Sequence, residues 1–300
     1  MFNKSWYALF MLMAGSSFGV VSPILKMAYR HGFSAAGVTN AQYVFGAVLL
    51  WPIAWLFRKG NPVTKRQGVL LGVLGLCGAL TSYAYYVALT KLPASLAIVL
   101  LFQFSWIVVV IDMFVRRKLP PIEKWIGLVL ILFGTVLAVG LIGTRLTGVS
   151  VAAVVLGLCS AIGYAGTLYL SEFVDTQSSP FVRSAIIVTI SGIVIMFFMS
   201  PKDVYSPTLW HGLWFWGLAV AFFAQALPLV LTNVSIPRIG GRMAGILGSI
   251  ELPVAIFLAR VVLGEHVSVV RWIGVLLILV GIAVSETVIT RKLHRAEMTG

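Results

Sequence analysis

Glu251 is the residue of this 300-residue chain whose chemistry most needs a reason, because it stands inside the apolar run Gly241–Leu263. An acidic side chain at the centre of a lipid-spanning helix costs about 2.5–3.5 kcal/mol on insertion scales, which makes it a suspect for function. A carboxylate in that setting can pair with a cationic ligand or carry a proton. The competing reading is a hydrogen bond to a neighbouring helix that serves packing alone. Pro253 follows two residues later, and its missing N–H can loosen the helix beside the carboxylate, as a hinge or gate requires.

Aromatic and polar side chains recur at helical spacing elsewhere. Gln103 and Trp106 are three apart and share a face, as do Tyr83 and Tyr86. Ser160, Tyr164 and Thr167 form an i, i+4, i+7 stripe, and Asn40 and Tyr43 mark another face. An aromatic pocket with one carboxylate suits a ligand bearing an amine, through cation–π contact and charge pairing. Taken singly, each residue also fits ordinary packing, in which a polar tie between membrane helices is worth about 0.6 kcal/mol. As a set, Tyr83, Tyr86, Gln103, Trp106, Ser160, Tyr164, Gln225 and Glu251 are the candidate substrate-binding residues, with Pro253 the candidate hinge.

The elements that hold them follow from composition. Hydrophobic residues make up 60% of the chain and charged residues 10%, with a mean hydropathy of +1.01. An ordinary soluble domain carries about 25% charge. Too little polar surface exists here to coat the apolar volume, so a soluble enzyme, a disordered chain, a coiled coil and a secreted disulfide scaffold are excluded. A span needs roughly 20 mostly apolar residues. Ten segments qualify: Trp6–Tyr29, Ser34–Phe57, Gly68–Leu89, Ala94–Val115, Trp125–Ile142, Val151–Leu170, Phe181–Ser200, Gly212–Thr232, Gly241–Leu263 and Trp272–Thr290. Backbone groups in lipid must bond within their own segment, so all ten read as helices, and the continuous apolar runs exclude a β-barrel. The first segment is too long for a signal-peptide core and is read as retained.

A net charge of +13 would point to nucleic acid in a soluble protein. Here the basic residues stand in short runs at helix ends, the topology bias of membrane proteins, and no nucleic-acid partner is expected. Ten spans put both termini on one side. That side carries Lys4, Arg58, Lys59, Lys65, Arg66, Arg116, Arg117, Lys118, Lys124, Arg183, Arg238, Arg242, Arg291, Lys292 and Arg295, 15 residues in all. The other side has 7: Lys26, Arg30, Lys91, Arg145, Lys202, Arg260 and Arg271. The bias places both termini in the cytoplasm, with the chain integral to the plasma (inner) membrane.

The chain also repeats itself. Trp125-Ile-Gly-Leu-Val-Leu-Ile-Leu-Phe-Gly134 matches Trp272-Ile-Gly-Val-Leu-Leu-Ile-Leu-Val-Gly281 at an offset of 147. Weaker echoes link Ala88–Leu92 to Val230–Val234 and Ser16–Gly19 to Ser160–Gly163, and set Gln103 level with Glu251 and Gln225 opposite Tyr83. The halves are residues 1–145 and 146–300, five helices each. Five is odd, so the second half enters the membrane upside down. Inverted repeats are a hallmark of secondary transporters, because exchanging the conformations of the two halves swaps inward-facing for outward-facing.

Ser249-Ile-Glu251-Leu-Pro253, the following Leu263-Gly264-Glu265, and the helix from Trp272-Ile-Gly274 to Gly281 resemble the drug/metabolite transporter superfamily, and within it the ten-helix EamA-type family. The resemblance covers essentially the whole chain. The first half departs from the pattern, with Gln103-Phe-Ser105 in place of Glu-x-Pro and Arg116-Arg117 where Gly-Glu would stand. The resemblance implies an all-α membrane fold of ten transmembrane helices, as two inverted five-helix repeats around a central cavity, with helices 5 and 10 peripheral. It implies small-molecule transport, often export of amino acids or related metabolites, and extends to the aromatic amino acid exporters.

No nucleotide-binding loop or nucleophile–base pair is present. Cys77 and Cys159 lie in apolar segments and His31, His211, His266 and His294 in loops or tails, in no metal-ligand spacing. No cofactor and no enzymatic activity are expected; with the resemblance, the expected function is export of amino acids or related amine-bearing compounds by alternating access, through an ion gradient such as protons or through substrate exchange. A facilitative exchanger or importer of another small metabolite is the alternative. From another class, an intramembrane enzyme acting on lipid would need a second catalytic group near Glu251. The partners are then a small-molecule substrate and the lipid bilayer, and a monomer is a sufficient unit. Asp112 with Arg116, and Arg260 with Glu265, are expected to pair at helix ends, and Gly68-x3-Gly72 and Gly241-x3-Gly245 to permit close helix approach. Thr135 is almost the only interior polar group of the fifth span, which is expected to be scaffold.

Overall fold

In a computed structural model of the chain, described at residues 4–57, 62–117, 119, 122–139, 150–171, 173–174, 177–239 and 246–297, every regular element is helical. α1 (Lys4–Arg30), α2 (Ala35–Leu56) and α3 (Lys65–Lys91) precede α4 (Ala94–Leu101) and α5 (Phe104–Arg116), two parts of one interrupted rod; α6 (Ile122–Val139) completes the first set. α7 (Val151–Ser171) and α8 (Pro180–Phe198) lead through two 3-10 turns to α9 (Leu213–Ala221), a π turn (Phe222–Ala226) and α10 (Leu227–Ile239), again one rod. α11 (Glu251–Leu263) and α12 (Val269–Glu297) follow.

Seven helical stretches among the described residues are long and apolar enough to cross a membrane: Ser5–Arg30, Lys65–Lys91, Ala94–Val115, Val151–Ser171, Pro180–Phe198, Leu213–Thr232 and Ile246–Leu263. α6 and α12 add shorter apolar lengths, Trp125–Ala138 and Val269–Val284. α2 has 22 residues and gathers Thr39, Asn40, Gln42 and Tyr43 in its first half. The chain is thus an all-α membrane protein whose rods answer to the ten spans read from hydropathy.

The repeated Trp-Ile-Gly helices, α6 and α12, pack on each other antiparallel through their glycines. A Cβ on Gly134 would stand 2.7 Å from the Gly274 carbonyl oxygen and 2.9 Å from the Ile278 nitrogen. A Cβ on Gly281 would stand 2.8 Å from the Gly127 oxygen and 3.0 Å from the Ile131 nitrogen. The offset of 147 turns the first contact into the second, Gly134 becoming Gly281 and Gly127 becoming Gly274. A contact between antiparallel rods that survives this exchange has a two-fold axis across the rods, which in a bilayer lies in the membrane plane. The remaining pairings obey the same exchange: α1 lies on α10 and α11, and α7 lies on α3, α4 and α5; α2 lies on α8.

Small residues elsewhere let the backbones meet. A Cβ on Gly15 would come within 2.6 Å of the Gly248 carbonyl and one on Gly19 within 2.9 Å of the Glu251 carbonyl, so α1 lies directly on the rod that bears the acid. The sequence motif expected to do this, Gly68-x3-Gly72, does not: nothing lies within 4 Å of a Cβ at either position. Gly241-x3-Gly245 lies outside the described residues.

Candidate functional site

Two rods are interrupted at positions related by the repeat, and each interruption has its own chemical cause. In the second half the chain turns at Ser249–Ile250, and Glu251 opens α11. Pro253 falls in the first turn of α11, where its missing N–H is tolerated, but its ring forbids a regular helix through Ser249. At the first-half interruption no proline is present. Gln103 Nε2 instead donates to the Val99 carbonyl (3.0 Å), the group that its own backbone N–H would reach in an α-helix, and that N–H turns to Leu100 (3.2 Å). Phe102 and Gln103 therefore form a turn between α4 and α5.

Gln103 is 3% exposed and fully engaged. Nε2 also donates to Thr135 Oγ1 of α6 at 2.8 Å, and Oε1 accepts from Trp106 Nε1 at 3.0 Å. The expected pairing of Gln103 with Trp106 on one face is present as a direct bond. Glu251 is 8% exposed, and among the described residues no hydrogen bond or ion pair reaches its carboxylate. It sits in the first turn of α11, where the positive end of the helix dipole favours an anion by about 0.3–1 kcal/mol. The hydroxyls of Tyr85 and Tyr164 stand within its electrostatic reach.

The other candidates divide between two apolar clusters. Trp106, Tyr164 and Phe104 pack with Tyr86, Leu252 and Ile256 in the larger one, the Tyr164 ring standing edge-on to Phe104 at 4.7 Å. Tyr83 packs instead with Tyr43, Ala79, Val188 and Met199, its ring 6.4 Å from Phe198. Tyr164 thus lies within reach of Glu251 and against Phe104, Trp106 belongs to the same larger cluster, and Tyr83 to the smaller one. Ser160 turns its hydroxyl onto its own helix, to the Gly157 carbonyl at 2.6 Å, and Thr167 does the same to Gly163 at 3.1 Å. Gln225 lies in the π turn, its side-chain amide pressed against Gly46 of α2.

The π turn follows from Pro228. Leu227 N–H bonds back five residues to Phe222, and the next such bond, from residue 228 to the Phe223 carbonyl, has no donor because proline lacks an N–H. Ser17 Oγ donates to that Phe223 carbonyl at 2.7 Å. Ser17 lies in the Ser16–Gly19 echo, and this bond joins it to a residue 206 positions away.

At the end of the bundle bearing Arg30 and Ala94, Glu265 crosses between the halves. Its Oε1 accepts from Ala94 N–H at 2.6 Å, and Oε2 from Ser95 N–H at 3.1 Å and Ser95 Oγ at 2.6 Å. Pro93 gives α4 no side-chain cap, so Glu265 satisfies its first N–H groups from the opposite repeat. Arg30 Nη2 donates to the Leu263 carbonyl at 2.9 Å beside it. The expected Arg260–Glu265 pair is not formed: Arg260 Nη1 donates to the Val267 carbonyl at 2.8 Å. The Asp112 and Arg116 side chains lie outside the described residues. Gly264, before Glu265, is left-handed at φ 70°, and so is Arg117, at φ 52°, which sits 147 positions earlier. The first-half counterpart of Gly-Glu is therefore Arg117-Lys118, one residue beyond the register expected from sequence.

Sequence reasoning did not single out Tyr85 or Glu265 for these roles. Tyr85 adjoins Tyr86, and only the helix phase of α3 decides which of them meets the acid.

Comparison with known proteins agrees with this architecture. A model of the EamA-like transporter family matches the chain twice, at residues 5–140 and 150–287. An uncharacterized transporter of Bacillus subtilis, YcbK, is 25% identical over 274 residues, covering 89% of this chain and 88% of that protein. An uncharacterized transporter of Synechocystis is 26% identical over 206 residues, covering 66% of this chain and 60% of that protein. A solved crystal structure, 17% identical, superposes with a TM-score of 0.63 over 97% of this chain and 99% of its own, and so shares the fold. With its two matched repeats, this integral membrane protein belongs to the EamA-like transporter family.

Proposed function

We propose that the chain is a secondary active transporter that exports a small amine-bearing metabolite, of the amino acid kind or related to it, by alternating access. One observation carries this reading: a buried, unpartnered carboxylate, Glu251, opens a half-helix at one of two interruptions related by the inverted repeat. Interrupted helices at matching positions of inverted halves are where transporters of this build bind substrate and coupling ion. Glu251 meets the amine or a proton, Trp106 and Tyr164 line the apolar side of the site, Gln103 holds Trp106 in place, and Pro253 lets α11 repack when the charge on Glu251 changes. Both termini are cytoplasmic and the halves, 1–145 and 146–300, move against each other.

Glu251→Gln tests it, because glutamine keeps the shape of the side chain and removes the charge. The variant is expected to insert and run as wild type on size-exclusion chromatography, while substrate transport by the protein in liposomes falls sharply and loses its pH dependence. Transport at the wild-type rate, with the wild-type pH profile, would show that Glu251 only packs.

A further inference from the structure

The interior around Glu251 holds one unpartnered carboxyl group, and among the described residues no Lys or Arg bonds to it. No Lys or Arg stands within about two helical turns along the chain of Glu251, Gln103 or the π turn Phe222–Ala226. The nearest cations on α1 serve the rim of the bundle: Arg30 donates to the Leu263 carbonyl, and Lys26 faces Glu265. Four backbone donors at the interruptions turn inward, Gln103 N–H to Leu100, Ser105 N–H to Phe102, Ile250 N–H to Leu247 and Leu252 N–H to Ser249, all at 3.2–3.3 Å.

Two unfilled acceptors stand on one face of α2. Gln42 Oε1 and Gln225 Oε1 have no partner among the described residues, on side chains 2% and 5% exposed. Gln225 abuts Gly46, which is four residues from Gln42, so both amides stand on one face of α2. A buried carbonyl oxygen without a donor costs about 1–3 kcal/mol until a donor arrives. What Glu251 lacks is a positive charge.

Charge balance then decides between two kinds of amine. A monocation neutralises Glu251. A zwitterion brings its own carboxylate in with its ammonium and leaves one uncompensated negative charge in a low-dielectric interior, which is strongly unfavourable. We infer that the substrate is an amine without a free carboxylate, its ammonium on Glu251 and its apolar body against Phe104, Trp106 and Tyr164. The inference rests on the reading of Glu251 as the residue that meets substrate, and it narrows amine-bearing metabolites to decarboxylated or esterified ones.

Thermal unfolding of the purified full chain in detergent, with matched ligand pairs, tests this. The pairs are phenethylamine and phenylalanine, putrescine and ornithine, and agmatine and arginine, with phenylalanine methyl ester as a fourth amine. The amine of at least one pair is expected to raise the unfolding midpoint at a concentration at least about tenfold below that of its amino acid, and the ester to follow the amine; Glu251→Gln removes the response. An amino acid that protects as well as its decarboxylated partner, with protection lost in Glu251→Gln, overturns the inference and leaves the role of Glu251 standing. Amine protection that persists in Glu251→Gln overturns both. Protection by none of the amines also overturns the inference.

Discussion

Glu265→Ala removes three acceptor contacts at once, those to Ala94 N–H, Ser95 N–H and Ser95 Oγ, and with them the tie between α4 of the first half and the α11–α12 loop of the second. Loss of a helix N-cap costs about 0.5–2 kcal/mol, and charge-assisted bonds lie toward the upper end. Glu265 is half-buried, so water replaces part of what is lost; about 1–2 kcal/mol remains, a factor of roughly 5–30 in the balance between closed and open arrangements of this end. A cysteine at Ser22 reports on that balance. Ser22 is buried, four residues from Lys26 on α1, and beside Tyr85, between Glu265 and Glu251. In a background without Cys77 and Cys159, a membrane-impermeant maleimide added outside sealed cells is expected to label Ser22→Cys about 5–30 times faster when Glu265 is alanine. The increase will be smaller with Glu265→Gln, which keeps one acceptor oxygen. Equal labelling rates in all three proteins, accompanied by a lower melting temperature, would refute the latch and leave Glu265 as a helix cap only. Labelling of the open variant solely from the cytoplasmic side would refute the orientation given to the chain.

Two further outcomes follow from backbone geometry. Gly134→Ala and Gly281→Ala each drive a Cβ into backbone atoms 2.7–2.8 Å away, and each is expected to destabilise by about 1–3 kcal/mol in thermal unfolding, whereas Gly68→Ala and Gly72→Ala meet nothing within 4 Å and are expected to be neutral or stabilising, by up to about 1 kcal/mol of helix propensity. Arg117→Gly replaces a left-handed arginine by the residue that Gly264 already places at the equivalent turn, and is expected to raise stability by roughly 1 kcal/mol in the same assay.

The helical spans, the repeat and the place of Glu251 within an apolar helix were legible because hydropathy and self-similarity are local properties of the chain. What was hidden depends on groups far apart in sequence. The interruption after α4 has no proline or glycine to announce it; it arises because the Gln103 amide outcompetes its own backbone for the Val99 carbonyl. Pro228 announces trouble in its helix, but the π turn is settled only where Ser17, 206 residues away, takes the Phe223 carbonyl. Glu265 lies five residues from Arg260, which invited a pairing, yet two backbone N–H groups and a hydroxyl at a helix start 170 residues away satisfy it better than one exposed arginine. Glycine spacing misled in the same way: Gly68 and Gly72 have the pattern of a contact motif and face open space, while Gly134, Gly274 and Gly281, which do bring backbones together, were visible as part of a repeated helix.

The exchange of Gly134–Gly274 into Gly281–Gly127 has a consequence for how the two halves recognise each other. A surface that maps onto itself under a two-fold operation is isologous: it is complementary to a copy of itself set the other way up. Each five-helix half carries in its last helix the same Trp-Ile-Gly and Gly pattern that its partner presents to it, so the mating surface is written twice in one chain. Recognition between halves then resides in the helix faces, and the connection at residues 140–149 contributes proximity, a high effective concentration of one half at the other. Severed there, the two pieces still hold the information needed to find one another in the bilayer, and in opposite orientations.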